Sequence, residues 1–315
     1  MACLSIIIPA YDEEAVIETT EKTIAGLMEE EKIDYELVFV DDGSRDQTWS
    51  ILEKLHKANP RITAVHFSRN FGKESAIFAG LASARGDCCI VMDCDLQHPP
   101  ETAVQMYRLW EDGYEVVEAV KRSRGKENVV HASFAKLFYS IMSRAVHIDM
   151  SRASDFKLLD RKAVNALLEM PERNAFFRAL SSWVGFKSTT VEFDVREREA
   201  GTSKWSVRSL IRYAITNITA FTAVPLQMIL FVGIFVFLFA IVLGVQTLVR
   251  FFSGQAASGF TTVILLILFI GSILMISLGI IGYYLAKIYE EVKARPRYII
   301  SRVLSRDRQD PAGTV

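Results

Sequence analysis

The stretch CIVMDCDLQHPP, residues Cys89–Pro100, joins an apolar run to two carboxylates, Asp93 and Asp95, one residue apart. The apolar run is typical of a buried strand, and residues two apart on a strand share a face, so both carboxylates point the same way. Like charges this close disfavour double ionisation unless a cation lies between them. Mg²⁺ and Mn²⁺ take oxygen ligands of this kind, and Gln97 offers another. The stretch predicts a divalent-cation site, with a solvated turn at a strand end as the alternative.

Short apolar runs alternate with amphipathic stretches around this segment. The predicted strands are LSIIIPA (4–10), YELVFVDDGS with its turn (35–44), ITAVHFS (62–68) and CCIVMDCD (88–95), and the predicted helices are 14–30, 46–58 and 73–84. This alternation predicts a parallel sheet covered by helices, in which ligands bind beyond the carboxyl ends of the strands. We therefore expect four polar clusters on one rim: PAYDEE, DDGSRDQT, SRNFGKESA and DCDLQHPP.

Neither common phosphate-binding glycine loop occurs in the sequence. The absence of G-x-G-x-x-G and of G-x-x-x-x-G-K-[ST] argues against a Rossmann dehydrogenase and a P-loop enzyme. A second carboxylate pair, Asp41 and Asp42, instead follows another predicted strand. It can accept hydrogen bonds from a base or a ribose. The alternative is an ordinary turn followed by a helix cap at Asp46.

Two long stretches near the end of the chain contain no charged residue. The chain has 315 residues, 50% of them hydrophobic, and a net charge of -1, yet 213–249 and 251–286 are uncharged. Each stretch exceeds the roughly 20 apolar residues that span a bilayer core. They predict two transmembrane helices with FSGQAASG in the hairpin between them, or alternatively two buried helices of a soluble core.

Basic residues flank the two spans on one side and predict their orientation. They are Lys204, Arg208 and Arg212 before the first span and Lys287, Lys293, Arg295, Arg297 and Arg302 after the second. The positive-inside rule places both termini and the catalytic domain in the cytoplasm of a multi-pass protein of the inner (plasma) membrane. MACLSIIIPAYDEE lacks a basic region and a cleavage site, so we expect no signal peptide. The four cysteines suit a reducing compartment: Cys3, Cys88, Cys89 and Cys94.

Five segments and their order resemble a known family: SIIIPAYDEE, FVDDGSRDQT, RNFGKESAIFAG, MDCDLQHPPE and DFKLLDRKAV, followed by two apolar spans and ARPRY. They resemble family 2 glycosyltransferases of the polyprenyl-phosphate type, which includes bactoprenol glucosyltransferases and dolichyl-phosphate mannose synthases. The resemblance implies an α/β catalytic domain of the GT-A, Rossmann-like fold with a mostly parallel sheet, then an interfacial helix and two transmembrane helices. It also implies sugar transfer from a nucleotide sugar to the phosphate of a membrane-embedded polyprenyl lipid.

The resemblance assigns donor-binding roles to residues on the predicted rim. The nucleoside pocket would be lined by Pro9, Tyr11, Glu13, Asp41 and Asp42, and the metal and diphosphate would be held by Asp93, Asp95 and Gln97. A divalent cation, Mg²⁺ or Mn²⁺, stabilises the charge on the leaving nucleoside diphosphate, which gives Asp95 a catalytic role. Lys73 and Arg69 either add positive charge there or face solvent at the start of a helix.

Basic residues near the membrane are candidates for binding the acceptor phosphate. By the resemblance, the run KRSRGK supplies either Arg122 or Arg124, and His131 stands where relatives often have a basic residue. Ser203 and Lys204 match a small-Lys-aromatic signature before the juxtamembrane helix. For each of them, an ordinary solvated basic face is the alternative.

Asp155 corresponds to the residue proposed as catalytic base in similar enzymes. A phosphate acceptor is already largely ionised at neutral pH, so a base contributes less than it would for a hydroxyl acceptor. Asp155 is therefore either a base, a residue that orients the acceptor or the sugar, or a helix or turn cap.

The chain divides into four predicted parts. These are a GT-A domain at 1–205, an amphipathic juxtamembrane helix at 206–221, a transmembrane hairpin at 222–288 and a basic cytoplasmic tail at 289–315. Gly271, Gly279 and Gly282 permit close helix packing and hence a homo-oligomer.

The sequence does not identify the sugar that is transferred. Glucose from UDP-glucose, moved to an undecaprenyl or dolichyl phosphate, is the favoured prediction, with GDP-mannose or an aminosugar donor as alternatives. A processive polysaccharide synthase would need a Q-x-x-R-W helix, and the nearest match, QMYRLW, has one residue too many. A non-catalytic, membrane-anchored nucleotide-sugar-binding protein is the other alternative. We expect no nucleic-acid partner.

Overall fold

The computed structural model of the chain describes residues 2–122, 154–172, 176–194, 224–253 and 259–305. The chain forms two compact units, one of Met1–Arg212 with Pro296–Val315 and the other of Tyr213–Arg295. The first unit is an α/β domain, and the second contains two long apolar helices.

The first unit is built on one eight-stranded sheet. Its strands are β1 (Cys3–Ala10), β2 (Asp34–Asp41), β3 (Ile62–Phe67), β4 (Cys88–Val91), β5 (Val116–Lys121), β6 (Lys157–Asp160), β7 (Ser188–Phe193) and β8 (Ile300–Leu304), in the order β7-β5-β6-β4-β1-β2-β3-β8. The central strands β3, β2, β1 and β4 are parallel, as are β5 and β7. β6 and β8 run antiparallel to their neighbours. The mostly parallel sheet predicted from the sequence is confirmed.

The described helices of this unit pack on the sheet. They are α1 (Ile17–Glu30), α2 (Thr48–Ala58), α3 (Lys73–Ser83), α4 (Pro100–Glu111), α5 (Arg161–Glu169) and α6 (Phe177–Trp183). In α1, Ile17, Ile24 and Met28 are buried at spacings of seven and four, which places them on one helical face. α5 begins after Asp160, whose carboxylate accepts the Lys162 N–H at 2.9 Å.

The early elements agree with the sequence prediction, except that β4 ends at Val91 and not at residue 95, so Asp93 and Asp95 lie in the loop after the strand and not on one strand face. Among the later elements, α4, β5, β6 and β7 were not predicted. The predicted helix at 14–30 begins at Ile17, within the usual uncertainty of helix ends. The short helix α6 was missed. So was β8, which lies inside the segment predicted as a tail and pairs with β3. The Ser68 N–H extends this pairing by donating to the Ile299 carbonyl at 3.0 Å.

The second unit contains α7 (Val224–Phe252) and α8 (Phe260–Val292). Val224–Arg250 and Phe269–Val292 are long and apolar enough to cross a membrane, judged by length and composition. Their large side chains are exposed, as for Phe231 at 68%, which argues against two buried core helices. The predicted interfacial helix at 206–221 and hairpin residues 254–258 lie outside the described residues.

Candidate active site

The loops that follow β1 and β2 are tied together at the rim of the sheet. The Asp12 N–H donates to Ser44 Oγ at 2.9 Å, and the Asp12 carboxylate accepts from the Arg45 N–H at 2.8 Å. The Glu13 N–H donates to Thr48 Oγ1 at 2.9 Å. These bonds hold the loop that contains Tyr11 and Glu13, while Pro9 lies in β1 itself. All three predicted nucleoside-pocket residues are half-buried.

Asp41 and Asp42, at the end of β2, are buried and hold neighbouring segments in place. The Asp41 carboxylate lies 2.8 Å from Nδ1 of His66 on β3. The Asp42 carboxylate accepts the N–H groups of Phe71 and Gly72 at 2.6 and 2.8 Å. Burial raises the pKa of Asp42, and these two N–H groups oppose the rise. Asp42 therefore fixes the loop that leads into α3.

The D-x-D loop after β4 is shaped by hydrogen bonds to its own residues. The Asp93 N–H donates to Nδ1 of His98 at 3.2 Å, and the His98 ring is buried and stacks on Phe156 with centroids 4.7 Å apart. The Asp95 carboxylate accepts the Gln97 N–H at 3.1 Å. His98 accepts through Nδ1, so it is neutral with its proton on Nε2. The loop thus depends on a histidine that the sequence reasoning did not single out.

Two cations and two carboxylates alternate across the rim. Lys73 Nζ lies 2.6 Å from Asp93 Oδ1 and 2.9 Å from Asp155 Oδ2. Arg178 donates two hydrogen bonds to Asp155, from Nε to Oδ1 at 2.6 Å and from Nη2 to Oδ2 at 2.9 Å. Burial raises the pKa of Asp155, but Arg178 and Lys73 outweigh burial and hold that pKa well below its usual value. The structure thus brings predicted residues Lys73, Asp93 and Asp155 together and adds Arg178.

The helix α6, which supplies Arg178, is anchored from two sides. Its first N–H, from Phe177, donates to Glu74 Oε2 at 2.9 Å. The Arg178 carbonyl accepts from Nζ of Lys157 at 3.2 Å, and this fully buried ammonium also lies 3.3 Å from Glu118. Burial lowers the pKa of Lys157, while Glu118 raises it. The sequence offered no signal for Arg178, because α6 is seven residues long and lies outside every quoted motif.

Of the predicted acceptor-phosphate residues, the structure describes Arg122. Its guanidinium lies 3.1 Å from Asp194 and 3.6 Å from Glu192, and its side chain is 61% exposed. Those contacts are an exposed ion-pair cluster at the end of β5 and β7. The other candidates lie outside the described residues: Arg124, His131, Ser203 and Lys204.

The D-x-D carboxylates fit a hard divalent cation. Asp93 and Asp95 supply oxygen donors at the end of one strand, and the described residues contain no group of three or more His, Cys, Asp or Glu that could hold a metal. Mg²⁺ is commonly bound by one or two carboxylates, with water and substrate phosphates as its other ligands. The donor set therefore suits a metal that binds together with a phosphorylated substrate.

The chain belongs to glycosyltransferase family 2. Residues 5–169, which contain the sheet rim and its carboxylates, match the family profile described as Glycosyl transferase family 2. This membership and the mostly parallel α/β sheet confirm the predicted family and the GT-A fold class.

Relatives match over almost the full length of the chain. An uncharacterised glycosyltransferase of Synechocystis sp. is 39% identical over 300 residues, covering 95% of this chain and 94% of that protein. The bactoprenol glucosyl transferase of Shigella phage SfV is 35% identical over 302 residues, covering 94% of this chain and 97% of that protein. Glucosyl-3-phosphoglycerate synthase of Mycobacterium tuberculosis is a similar solved structure, with TM-score 0.49, 21% identity and coverage of 70% of this chain and 79% of that one.

Proposed function

We propose that this chain transfers glucose from UDP-glucose to the phosphate of a polyprenyl lipid at a membrane surface. The observation behind the proposal is the cluster of Lys73, Asp93, Asp155 and Arg178 on the rim of a family 2 sheet, in a chain that also has two long apolar helices. The name of the SfV relative, a bactoprenol glucosyl transferase, supports a glucosyl donor and a lipid acceptor.

The donor side of the site is assigned to the D-x-D loop and α3. Asp93 and Asp95, with Gln97, would hold a divalent cation, either Mg²⁺ or Mn²⁺, which when bound stabilises negative charge on a leaving diphosphate. Lys73, at the first position of α3, adds a positive charge beside Asp93. The half-buried rim of β1 and the loop after β2 would surround the nucleoside.

The proposed role of Asp155 is to hold two cationic side chains, Lys73 and Arg178, in position. A polyprenyl phosphate is largely ionised at neutral pH and attacks the sugar without needing a strong base. Asp155 is ion-paired with Arg178 and Lys73, and its low pKa makes it a weak proton acceptor. It therefore keeps both cations on the rim, where they face the phosphate groups of the two substrates.

The membrane part of the proposal rests on the apolar helices and the flanking basic residues. The catalytic domain and both termini would be cytoplasmic, with α7 and α8 crossing the inner membrane. We expect Ser258→Cys in intact cells to react with a membrane-impermeant thiol reagent from outside, and Asp310→Cys to react only after lysis. The reverse labelling would contradict this orientation.

The activity is tested with purified full-length protein in detergent. UDP release is measured with UDP-glucose, Mg²⁺ and undecaprenyl phosphate, beside parallel assays with GDP-mannose and UDP-N-acetylglucosamine. We expect UDP release that depends on the lipid and one hexose per lipid by mass spectrometry. Longer glycans would indicate a processive synthase. Nucleotide binding without any turnover would indicate a non-catalytic binding protein.

A further inference from the structure

Lys73 forms an ion pair with the Asp93 carboxylate, which is also a proposed metal ligand. Its Nζ lies 2.6 Å from Asp93 Oδ1, and among the described residues it is the one lysine or arginine within ion-pair distance of Asp93. The two side chains are 42% and 31% exposed, so ions from solvent can reach the pair. A second cation on the same carboxylate would be repelled by the ammonium at this range.

The backbone at Lys73 is fixed, and two ion pairs, to Asp93 and to Asp155, hold the end of its side chain. Lys73 follows Gly72, which has a left-handed φ of 97° and whose N–H is held by the buried Asp42. The lysine side chain ends in a compact ammonium on a flexible four-carbon stem. Asp155 also accepts two bonds from Arg178, and neither of them involves Lys73. Movement of Lys73 would therefore leave the rest of the cluster in place.

We propose that Lys73 is an exchangeable counter-ion: it neutralises Asp93 in the substrate-free protein, and it leaves Asp93 for the diphosphate when a divalent cation and nucleotide bind. The inference rests on the proposed function, and it gives the ion pair between Lys73 and Asp93 a role in metal and nucleotide binding. A lysine that bound the diphosphate without pairing with Asp93 would have little effect on metal binding in the absence of nucleotide. A plain structural lysine would have no opposed effects at all.

The exchange predicts two changes of opposite direction in Lys73→Met. Without nucleotide, the variant should bind Mn²⁺ about tenfold more tightly, because no ammonium competes for Asp93. With saturating Mn²⁺, the same variant should bind UDP about tenfold or more weakly, because a charge-assisted contact to the diphosphate is lost. Lys73→Arg keeps the positive charge, so its Mn²⁺ affinity should stay within about threefold of wild type.

The first experiment measures both affinities on full-length protein in detergent. Free Mn²⁺ is counted by electron paramagnetic resonance in the absence of nucleotide, and UDP binding is measured by calorimetry at saturating Mn²⁺. Lys162→Met is the matched control, since it also removes a lysine that faces a carboxylate, Glu115, at 3.8 Å, outside the site. Unchanged Mn²⁺ affinity in Lys73→Met, or weaker Mn²⁺ binding in a folded variant, would overturn the exchange.

The second experiment uses the wild-type protein, so folding of a variant does not limit it. Limited acetylation with acetic anhydride, read by peptide mass spectrometry, reports how accessible each lysine is. We expect labelling of Lys73 to rise several-fold when Mn²⁺ is added and to fall again when UDP follows, with Lys162 unchanged. Equal labelling of Lys73 in all three states would overturn the proposal. Both experiments contain no sugar or lipid, so the exchange and the proposed transferase activity fail independently.

Discussion

Asp155 and Arg178 form a two-bond ion pair, with Nε and Nη2 of the arginine 2.6 and 2.9 Å from the two carboxylate oxygens. Asp155 is 5% exposed and has Lys73 as a second cationic partner. A carboxylate held in this way by two cations is ionised and has little capacity to accept a proton. This relationship favours a role for Asp155 in holding cations over a role in accepting a proton.

Asp155→Asn should destabilise the protein by about 3 kcal/mol at neutral pH, because it leaves Arg178 without its buried partner. The pKa of Asp155 is lower in the folded protein than in the unfolded chain. Its contribution to stability is therefore present above about pH 4 and lost as the pH falls further, toward the folded-state pKa. Thermal unfolding is measured for wild type and variant between pH 3 and 8. The difference between their melting temperatures should be constant above about pH 5 and should narrow below about pH 4. A difference that appears only above pH 6 would contradict this assignment.

Arg178→Ala should lower the rate of sugar transfer by about a hundredfold or more, since both a cation of the site and the anchor of Asp155 are lost. Arg178→Lys should recover only part of this rate, because an ammonium cannot make the two parallel bonds of a guanidinium. The rates are measured with UDP-glucose and undecaprenyl phosphate. Arg61→Ala is the control, since that exposed arginine pairs with Asp34 at the start of β2, at the opposite end of the strand from the rim. Full activity in Arg178→Ala would remove Arg178 from the site.

Asp95→Ala should abolish transfer and metal-dependent UDP binding in a protein that remains folded. The reason is that Asp95 is one of the two carboxylates of the D-x-D loop after β4, and its loss removes a charged oxygen ligand from the proposed cation site. UDP binding is measured by calorimetry with Mg²⁺ and again with a chelator. An active Asp95→Ala enzyme would remove the metal assignment of the D-x-D loop.

His98→Phe should weaken metal-dependent UDP binding by about five- to tenfold. The phenyl ring can still stack on Phe156, but the Asp93 N–H loses its acceptor, which costs roughly 1 kcal/mol. His56→Phe is the matched control, because the His56 ring bonds the Ile62 carbonyl at the other end of β3. Equal effects of the two substitutions on UDP binding would show that His98 has no particular role in the loop.

The sheet, and the position of several candidate-site residues on its rim, could be predicted because both follow from local patterns. Apolar runs of strand length alternate with amphipathic helices, and the carboxyl ends of parallel strands meet at one rim, which brought Asp93, Lys73 and the Asp41 and Asp42 pair to one side of the sheet. The sequence did not indicate that Asp42 would bind backbone N–H groups, since a carboxylate at a strand end has the same appearance whether its partner is a ligand or a loop.

Long-range contacts account for what the sequence analysis missed. Arg178 lies 23 residues from Asp155, on a seven-residue helix with no distinguishing pattern. β8 pairs with a strand more than 230 residues earlier in the chain, and its basic neighbours made it resemble a tail. Pairing between segments this far apart is decided by tertiary packing, which no local propensity reports.

Tyr298→Ala should loosen β8 from the sheet and destabilise the catalytic domain by about 2 kcal/mol. The Tyr298 ring stacks on the fully buried Phe67 of β3 with centroids 5.0 Å apart, so its removal leaves a gap at the sheet edge. The change is measured by thermal unfolding and by hydrogen exchange of the Ser68 amide, which donates to the Ile299 carbonyl and should exchange faster.

Two further variants decide whether the ring itself anchors the strand. Tyr298→Phe keeps the stacked ring and should remain close to wild type. Ile299→Ala changes the neighbouring side chain, which is 52% exposed, and should cost less than about 0.5 kcal/mol. If Tyr298→Ala behaved like Ile299→Ala in both measurements, the ring of Tyr298 would not be the contact that holds β8 to the sheet. If only Tyr298→Ala speeds hydrogen exchange at Ser68, the contact between Tyr298 and Phe67 holds β8 against the sheet.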